Sequence, residues 1–367
     1  MTMMGRNRRL ALLVEGRFTP LDAKTAVGVL RYRPDQVAAV IDGSRAGHTA
    51  QSCVGVGGSI PVVADLDAAA ACGADSLLIG VAPQGGELPE EWRATVREAL
   101  HRGWDVLSGL HVFLGDDPEL CALAANSGAR LIDTRRPPRG RPVAARRAAV
   151  LDALVVLTVG SDCNVGKMTT SLELVRGLQA RGTSAAFVAT GQTGIFVADS
   201  GVAVDAVPGD FAAGFVERLV LEAAAHAEVI VVEGQGALHH PGYSGVTLAL
   251  LHGSCPRAMV LCHQAGRERV RPPNSREERT ESRPQIPPLA ELVRAYEAAA
   301  SWVCAGRVVG VALDTHELSE SDARHVVQKA AHESGRPATD PVRFGPEVLI
   351  DAVEACRVRG GDRATLG

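Results

Sequence analysis

The stretch from Leu154 to Thr170, LVVLTVGSDCNVGKMTT, has the residue types and spacing of a phosphate site. Its Val-rich apolar run stops at Gly160, as a buried parallel strand does, and helix-forming residues begin after Gly166. Strand, glycine-bounded loop, Gly-Lys and helix make a cradle for an anion. Backbone N–H groups from Gly160, Ser161, Asp162, Cys163, Asn164, Val165 and Gly166 face it together with the positive end of the helix. Lys167 adds a mobile charge. The loop is one residue longer between its glycines than the common pattern, and Met168 stands where a Ser or Thr hydroxyl normally holds Mg²⁺. Thr169 and Thr170 are the nearest hydroxyls. Phosphate binding is thus the expected use, ahead of metal-assisted nucleotide hydrolysis.

Further polar residues fall where strands are expected to end. Glu233 closes an apolar run beside Gly234, where partial desolvation can raise a carboxylate pKa toward neutrality and make it a base. It suits equally an acid that orients water or a metal. His239 and His240 follow in a Pro/Gly-rich turn with Tyr243 and Ser244, and Gln192 and Thr193 follow another strand. Asp210, ahead of a helix, reads first as an N-cap. No metal-ligand spacing such as H-E-x-x-H occurs, so no metal site is expected.

Alternating strands and helices must position these groups. Over 1–133, short apolar runs alternate with helical stretches, as in a Rossmann-like parallel-sheet domain. No G-x-G-x-x-G follows the first strand, which argues against dinucleotide binding. Residues 134–150 form an Arg/Pro-rich linker. It reads as a solvated crossover, or else as carrying Arg135 or Arg136 over the phosphate loop to meet a second anion. Residues 151–367 alternate again, giving a P-loop NTPase-like α/β domain. The segment 264–288, with many charges and five prolines, reads as a mobile surface loop.

The 367 residues suit two α/β domains. A net charge of −4 gives no global attraction to nucleic acid or anionic membrane, so any anion site is local. The eight cysteines are scattered without a C-x-x-C pair, which fits reduced thiols in a cytoplasmic protein. The N-terminal apolar run breaks at Glu15 and reads as a first strand, not a signal peptide. No run approaches the roughly 20 apolar residues that span a bilayer.

Several segments match a known family in its order: GSDCNVGKMTT, ATGQTGI, AVDAVPGDF, EGQGALHHPGYSGVTLALLHG and DPVRFG, preceded by AKTAVGVLRY and IDGSRAGHTA. Together they resemble the D-glutamate N-acetyltransferase family over nearly the whole chain. The second domain is also similar to dethiobiotin synthetase-like P-loop proteins, which share the longer loop and a Glu-Gly strand end. The resemblance implies acetyl transfer from acetyl-CoA to the amine of a D-amino acid, with no metal needed. Glu233, His239, His240 and Gln192 are then the candidate catalytic groups. Thr193, Tyr243, Ser244, Arg135, Arg136 and Arg267 are the candidates for holding the acceptor, the arginines by pairing with its carboxylates. Arg267 opens the segment in which this chain departs from the family, so it is expected to set the accepted side chain. A homo-oligomer acting on a small molecule is the expected assembly. The competing reading is a small-molecule kinase or carboxylate-activating ligase using ATP with Mg²⁺, and a nucleotide-gated regulatory protein is a third.

Overall fold

The computed structural model describes residues 8–20, 22–81, 86–271 and 283–358. The chain divides into two compact units, Met1–Pro138 with Gly191–Ala206, and Arg139–Thr190 with Val207–Gly367.

The first unit is built on parallel strands β1 (Leu10–Leu13), β2 (Val37–Ile41), β3 (Val62–Val63), β4 (Ser76–Ile79), β5 (Asp105–Ser108) and β6 (Leu131–Asp133). Their order in the sheet is β3-β2-β1-β4-β5-β6, so it reverses between β1 and β4. Both central strands are fully buried, which explains why they read as unbroken apolar runs instead of alternating ones. The connecting helices are α1 (Lys24–Tyr32), α2 (Ala50–Val54), α3 (Leu66–Ala71), α4 (Glu90–His101) and α5 (Pro118–Ser127). Local sequence sets their ends. Asp117 caps α5 by accepting the N–H groups of Glu119 and Leu120, Pro118 occupies its first turn, and Gly128 ends it in the left-handed region. Where β5 begins, buried Asp105 is paired with Arg8 at 2.9 Å and Arg130 at 2.8 Å. At the far ends of β1 and β2 the side chains are acidic. Glu15 accepts the N–H of Gly43, and Asp42 accepts those of Gly16 and Ser44.

The second unit contains parallel strands β7 (Leu154–Gly160), β8 (Ala185–Val188), β9 (Val229–Val232), β10 (Ala258–Gln264), β11 (Arg307–Asp314) and β12 (Ala338–Thr339). Their order is β12-β11-β10-β7-β9-β8. The helices of this part of the chain are α6 (Lys167–Ala180), α7 (Gln192–Ala198), α8 (Gly209–Ala224), α9 (Ser244–Ser254), α10 (Leu289–Ser301), α11 (Glu320–Ser334) and α12 (Glu347–Val358). Of these, α7 belongs to the first unit. Its Phe196 is buried in that unit's core, and Arg33 donates to the Val197 carbonyl at 2.7 Å.

The arginine-rich connection is largely solvated, as expected, with Arg136, Arg139, Arg141, Arg146 and Arg147 exposed, but it is anchored at two points. Arg135 is 6% exposed in the first unit. In the second, Ala145 N–H and Arg147 N–H, with the Arg147 guanidinium, all donate to the fully buried carboxylate of Glu217 on α8. The chain passes so close to α8 that a Cβ at Gly214 would lie 1.9 Å from the Pro142 carbonyl oxygen. Asp210 departs from expectation. It lies inside α8, whose N-cap is Pro208 with no side-chain cap.

Of the segment 264–288, residues 272–282 lie outside the described residues. Its two stems are joined: Val270 N–H donates to the Pro284 carbonyl at 3.1 Å and Ile286 N–H to Glu268 at 2.8 Å. Val270 is 2% exposed, so the base of this segment is part of the second unit's interior.

Candidate functional site

Strand register brings the polar residues of the second unit together. Gly160 at the end of β7 pairs with Cys262 of β10, so Ser161 and His263 emerge side by side, their Oγ and Nδ1 2.8 Å apart. On the other flank Leu157 pairs with Val232 of β9, which sets Glu233 and Gly234 against Thr158. Gly234 N–H donates to Thr158 Oγ1 at 2.9 Å, and a Cβ there would be 1.7 Å from the Thr158 carbonyl oxygen. Only glycine allows that approach.

Between these flanks runs the glycine-bounded loop. Asn164 and Gly166 are left-handed, at φ 57° and 87°, and Val165 packs into the core beneath. Lys167 opens α6, and its Nζ donates to the Asp162 carbonyl at 2.6 Å. It is 7% exposed, and burial pulls its ammonium below the ordinary lysine value. Met168 and Thr169 are half-buried, whereas the buried Thr170 hydroxyl bonds to Cys262. Burial pushes that thiol up to about 11.

Asp162 is the hub of the loop. Its buried carboxylate accepts from Cys163 N–H at 2.7 Å, Arg267 at 3.0 Å and Arg271 N–H at 2.8 Å. Arg267 also donates to the Cys163 carbonyl at 2.7 Å and to Gln264. Arg267, expected to meet the acceptor's carboxylate, is therefore bound to the phosphate loop itself. Tyr296 is the group that sequence reading missed. Its buried hydroxyl donates to the Gly160 carbonyl at 2.7 Å and receives Leu238 N–H at 3.3 Å, tying the loop to the turn that carries the histidines. An isolated Tyr in a helix gives no local signal of that role.

In that turn, both ring nitrogens of His239 are buried, with the Ser161 backbone beside the ring. Burial lowers its pKa below the ordinary value, with Asp162 partly opposing. His240 is 2% exposed, and its Nδ1 accepts Gly242 N–H at 3.1 Å. The Tyr243 ring lies 4.5 Å from its own, while Ser244, expected in a loop, is the first residue of α9. His263 is held down to about pH 4, first by burial and then by the Arg267 charge. Glu233 is buried, and its carboxylate accepts the Thr190 N–H at 3.0 Å.

Asp162, Cys163 and His240 bring possible metal-ligand atoms within 4.8 Å of one another. The chemistry does not suit a cation. The Asp162 oxygens are already taken by three donors, one of them a guanidinium. His240 Nδ1 accepts a hydrogen bond from Gly242 N–H, which leaves the ring's own proton on Nε2 in place of a lone pair.

The remaining candidates lie in the first unit. Arg135 donates to Gln192 Oε1 at 3.3 Å and pairs with Asp205. Thr193 Oγ1 is 3.1 Å from Thr25 Oγ1. Arg136 pairs with Asp116 at 2.7 Å and lies over the Phe113 ring. Tertiary structure thus assigns Gln192 and Thr193, which follow β8 in sequence, to the other unit.

Comparison with known proteins agrees with this architecture. Residues 43–137 match a Rossmann-like domain of unknown function, DUF1611_N, and residues 142–350 match the P-loop domain DUF1611_C. The chain is 39% identical over 340 residues to a protein of Tritonibacter scottomollicae named D-glutamate N-acetyltransferase, covering 91% of this chain and 95% of that one. A Pseudoalteromonas protein of the same name is 34% identical over 77% of this chain and 82% of its own length. A crystal structure of a DUF1611 protein from Anabaena variabilis superposes with a TM-score of 0.88 at 39% identity, covering 95% of this chain and 99% of that one. With both halves of the family pattern present in order on two parallel sheets, this chain belongs to the DUF1611 family.

Proposed function

We propose that this chain is an N-acetyltransferase that moves an acetyl group from acetyl-CoA to the amine of D-glutamate or a similar amino acid. The observation that carries the reading is 39% identity, over 91% of the chain, to a protein named for that reaction. The phosphate loop supports CoA as donor, because the diphosphate of CoA suits backbone N–H groups at a helix start beside Lys167. Met168 at the usual Mg²⁺-ligand position favours a reaction with no phosphoryl charge to neutralise.

In such a reaction the amine attacks the thioester carbonyl. A C–N bond forms, the tetrahedral intermediate collapses, the C–S bond breaks and the CoA sulfur takes up a proton. An amino acid arrives as ammonium, so a base must first remove a proton. We assign this step to His239, whose half-buried ring is held below the ordinary histidine pKa and lies close to the Asp162 carboxylate and the Ser161 backbone. Glu233, held by Thr190, fixes the strand end from which this turn departs. The eight cysteines are free thiols, which supports a cytoplasmic setting.

Release of CoA thiol from acetyl-CoA and D-glutamate, followed in EDTA, tests the reading. Turnover without metal is expected. No turnover, together with tight binding of ATP–Mg²⁺ and none of acetyl-CoA by titration calorimetry, would replace it with an ATP-dependent kinase or ligase.

A further inference from the structure

We infer that His240 is a neutral hydrogen-bond donor to ligand phosphate, fixed in one tautomer by the backbone, and not a general base. The inference rests on the reading that the glycine-bounded loop holds phosphate. Gly242 N–H donates to His240 Nδ1 at 3.1 Å. A ring nitrogen that accepts carries no proton, so the ring is uncharged and its proton lies on Nε2. That Nε2–H is buried and has no hydrogen-bond partner among the described residues. Asp162 Oδ1 lies 4.0 Å from it, beyond hydrogen-bond reach.

Asp162 does not move to meet it, since Cys163 N–H, Arg267 and Arg271 N–H hold its carboxylate in place. The imidazole is held as well, by Gly242 on one edge and the Tyr243 ring 4.5 Å away. A buried donor without an acceptor costs free energy unless a ligand or water completes it. The ligand atom that fits is an anionic oxygen. The proton on Nε2 excludes a cation, and Lys167 at the end of the loop and Arg267, which follows β10 and bonds to the loop, supply compensating charge. Lys167, Arg267 and His240 all contact or approach Asp162, so they converge on one loop from three elements. The chemical class is a phosphate or diphosphate group, carried by CoA or by a nucleotide.

The test uses inorganic pyrophosphate, which carries the diphosphate chemistry without either carrier, titrated into wild type, His240→Leu and His240→Gln. Leucine should weaken binding about tenfold, the worth of one buried hydrogen bond to a charged group. Glutamine places an amide N–H near the Nε2 position and should recover most of the loss. In wild type with ¹⁵N-labelled histidine, His240 should show the neutral Nε2-protonated tautomer, and its Nε2 signal should shift on adding pyrophosphate. That measurement decides the matter if the leucine variant does not fold. Undiminished pyrophosphate binding in His240→Leu, no pyrophosphate binding by wild type, or a proton on Nδ1 would overturn the assignment. Parallel titrations with acetyl-CoA and with ATP separate the carriers. If pyrophosphate binding depends on His240 but acetyl-CoA does not bind, the assignment stands and the acetyltransferase reading falls.

Discussion

The two units use parallel sheets with a central strand pair, yet the carboxyl ends of those strands differ in chemistry. In the first unit, Glu15 and Asp42 accept the backbone N–H groups of Gly43, Gly16 and Ser44. Acidic side chains thus occupy backbone donors at that strand edge. In the second, the ends of β7, β9 and β10 gather Lys167, Arg267 and three histidines around one loop. Topology marks where a ligand goes. The side chains at the strand ends choose its charge.

The sharpest way to test this contrast is at His239. Replacing it with Gln should lower kcat by about 10²–10⁴-fold, the usual worth of a general base. The acidic limb of kcat/KM in wild type should lie below the ordinary histidine value, since burial lowers the His239 pKa. A limb at or above pH 6.5 would remove His239 from the role.

Next in size is a pH effect on stability. Below pH 6.5 the unfolded chain binds a proton on His263 that the folded protein refuses until about pH 4. Stability should therefore fall across that window, by about 3 kcal/mol from this residue alone. Denaturant melts of wild type and His263→Asn at pH 7 and pH 4.5 measure it, and the variant should lose less on acidification.

Lys167→Ala should weaken acetyl-CoA binding by about 1.5–3 kcal/mol while the chain stays folded, because charge-assisted hydrogen bonds to phosphate are lost. Unchanged affinity by calorimetry would make the loop structural. Arg267→Ala sharpens the same point. Bound to Asp162 and the Cys163 carbonyl, it should raise KM for acetyl-CoA several-fold and that for the amino acid little. The opposite split would return Arg267 to acceptor recognition.

The smallest effect belongs to the first unit. Glu15→Gln should leave kcat and both KM values unchanged and cost about 1 kcal/mol of stability or less, read from a thermal melt. A large loss of acetyl-CoA affinity in this variant would break the contrast between the two strand edges.

Much of this molecule is legible in its sequence because the signals are local. The apolar runs at Leu10–Leu13 and Leu154–Gly160 are strands buried on both faces, and Asp117-Pro118 with Gly128 brackets a helix in both sequence and structure. The Gly160–Lys167 loop is legible for the same reason: glycines, lysine and flanking elements all fall within one short stretch. The strand β12 and helices α2, α7, α9 and α12 were not expected from the sequence. A two-residue strand carries almost no pattern, and the low amphipathicity of α9 hides its period.

What tertiary structure alone decided is the company these residues keep. The sequence determined that Lys167 would open a helix directly behind a glycine-bounded loop, since strand, glycines and helix formers all lie within one short stretch. It could not determine that Arg267, more than a hundred residues from Asp162, would bond to it, or that Arg135 and Gln192 would meet in the first unit. Those pairings depend on strand register and on which core buries α7. Both are set by packing between segments far apart in the chain, to which no short window of sequence has access.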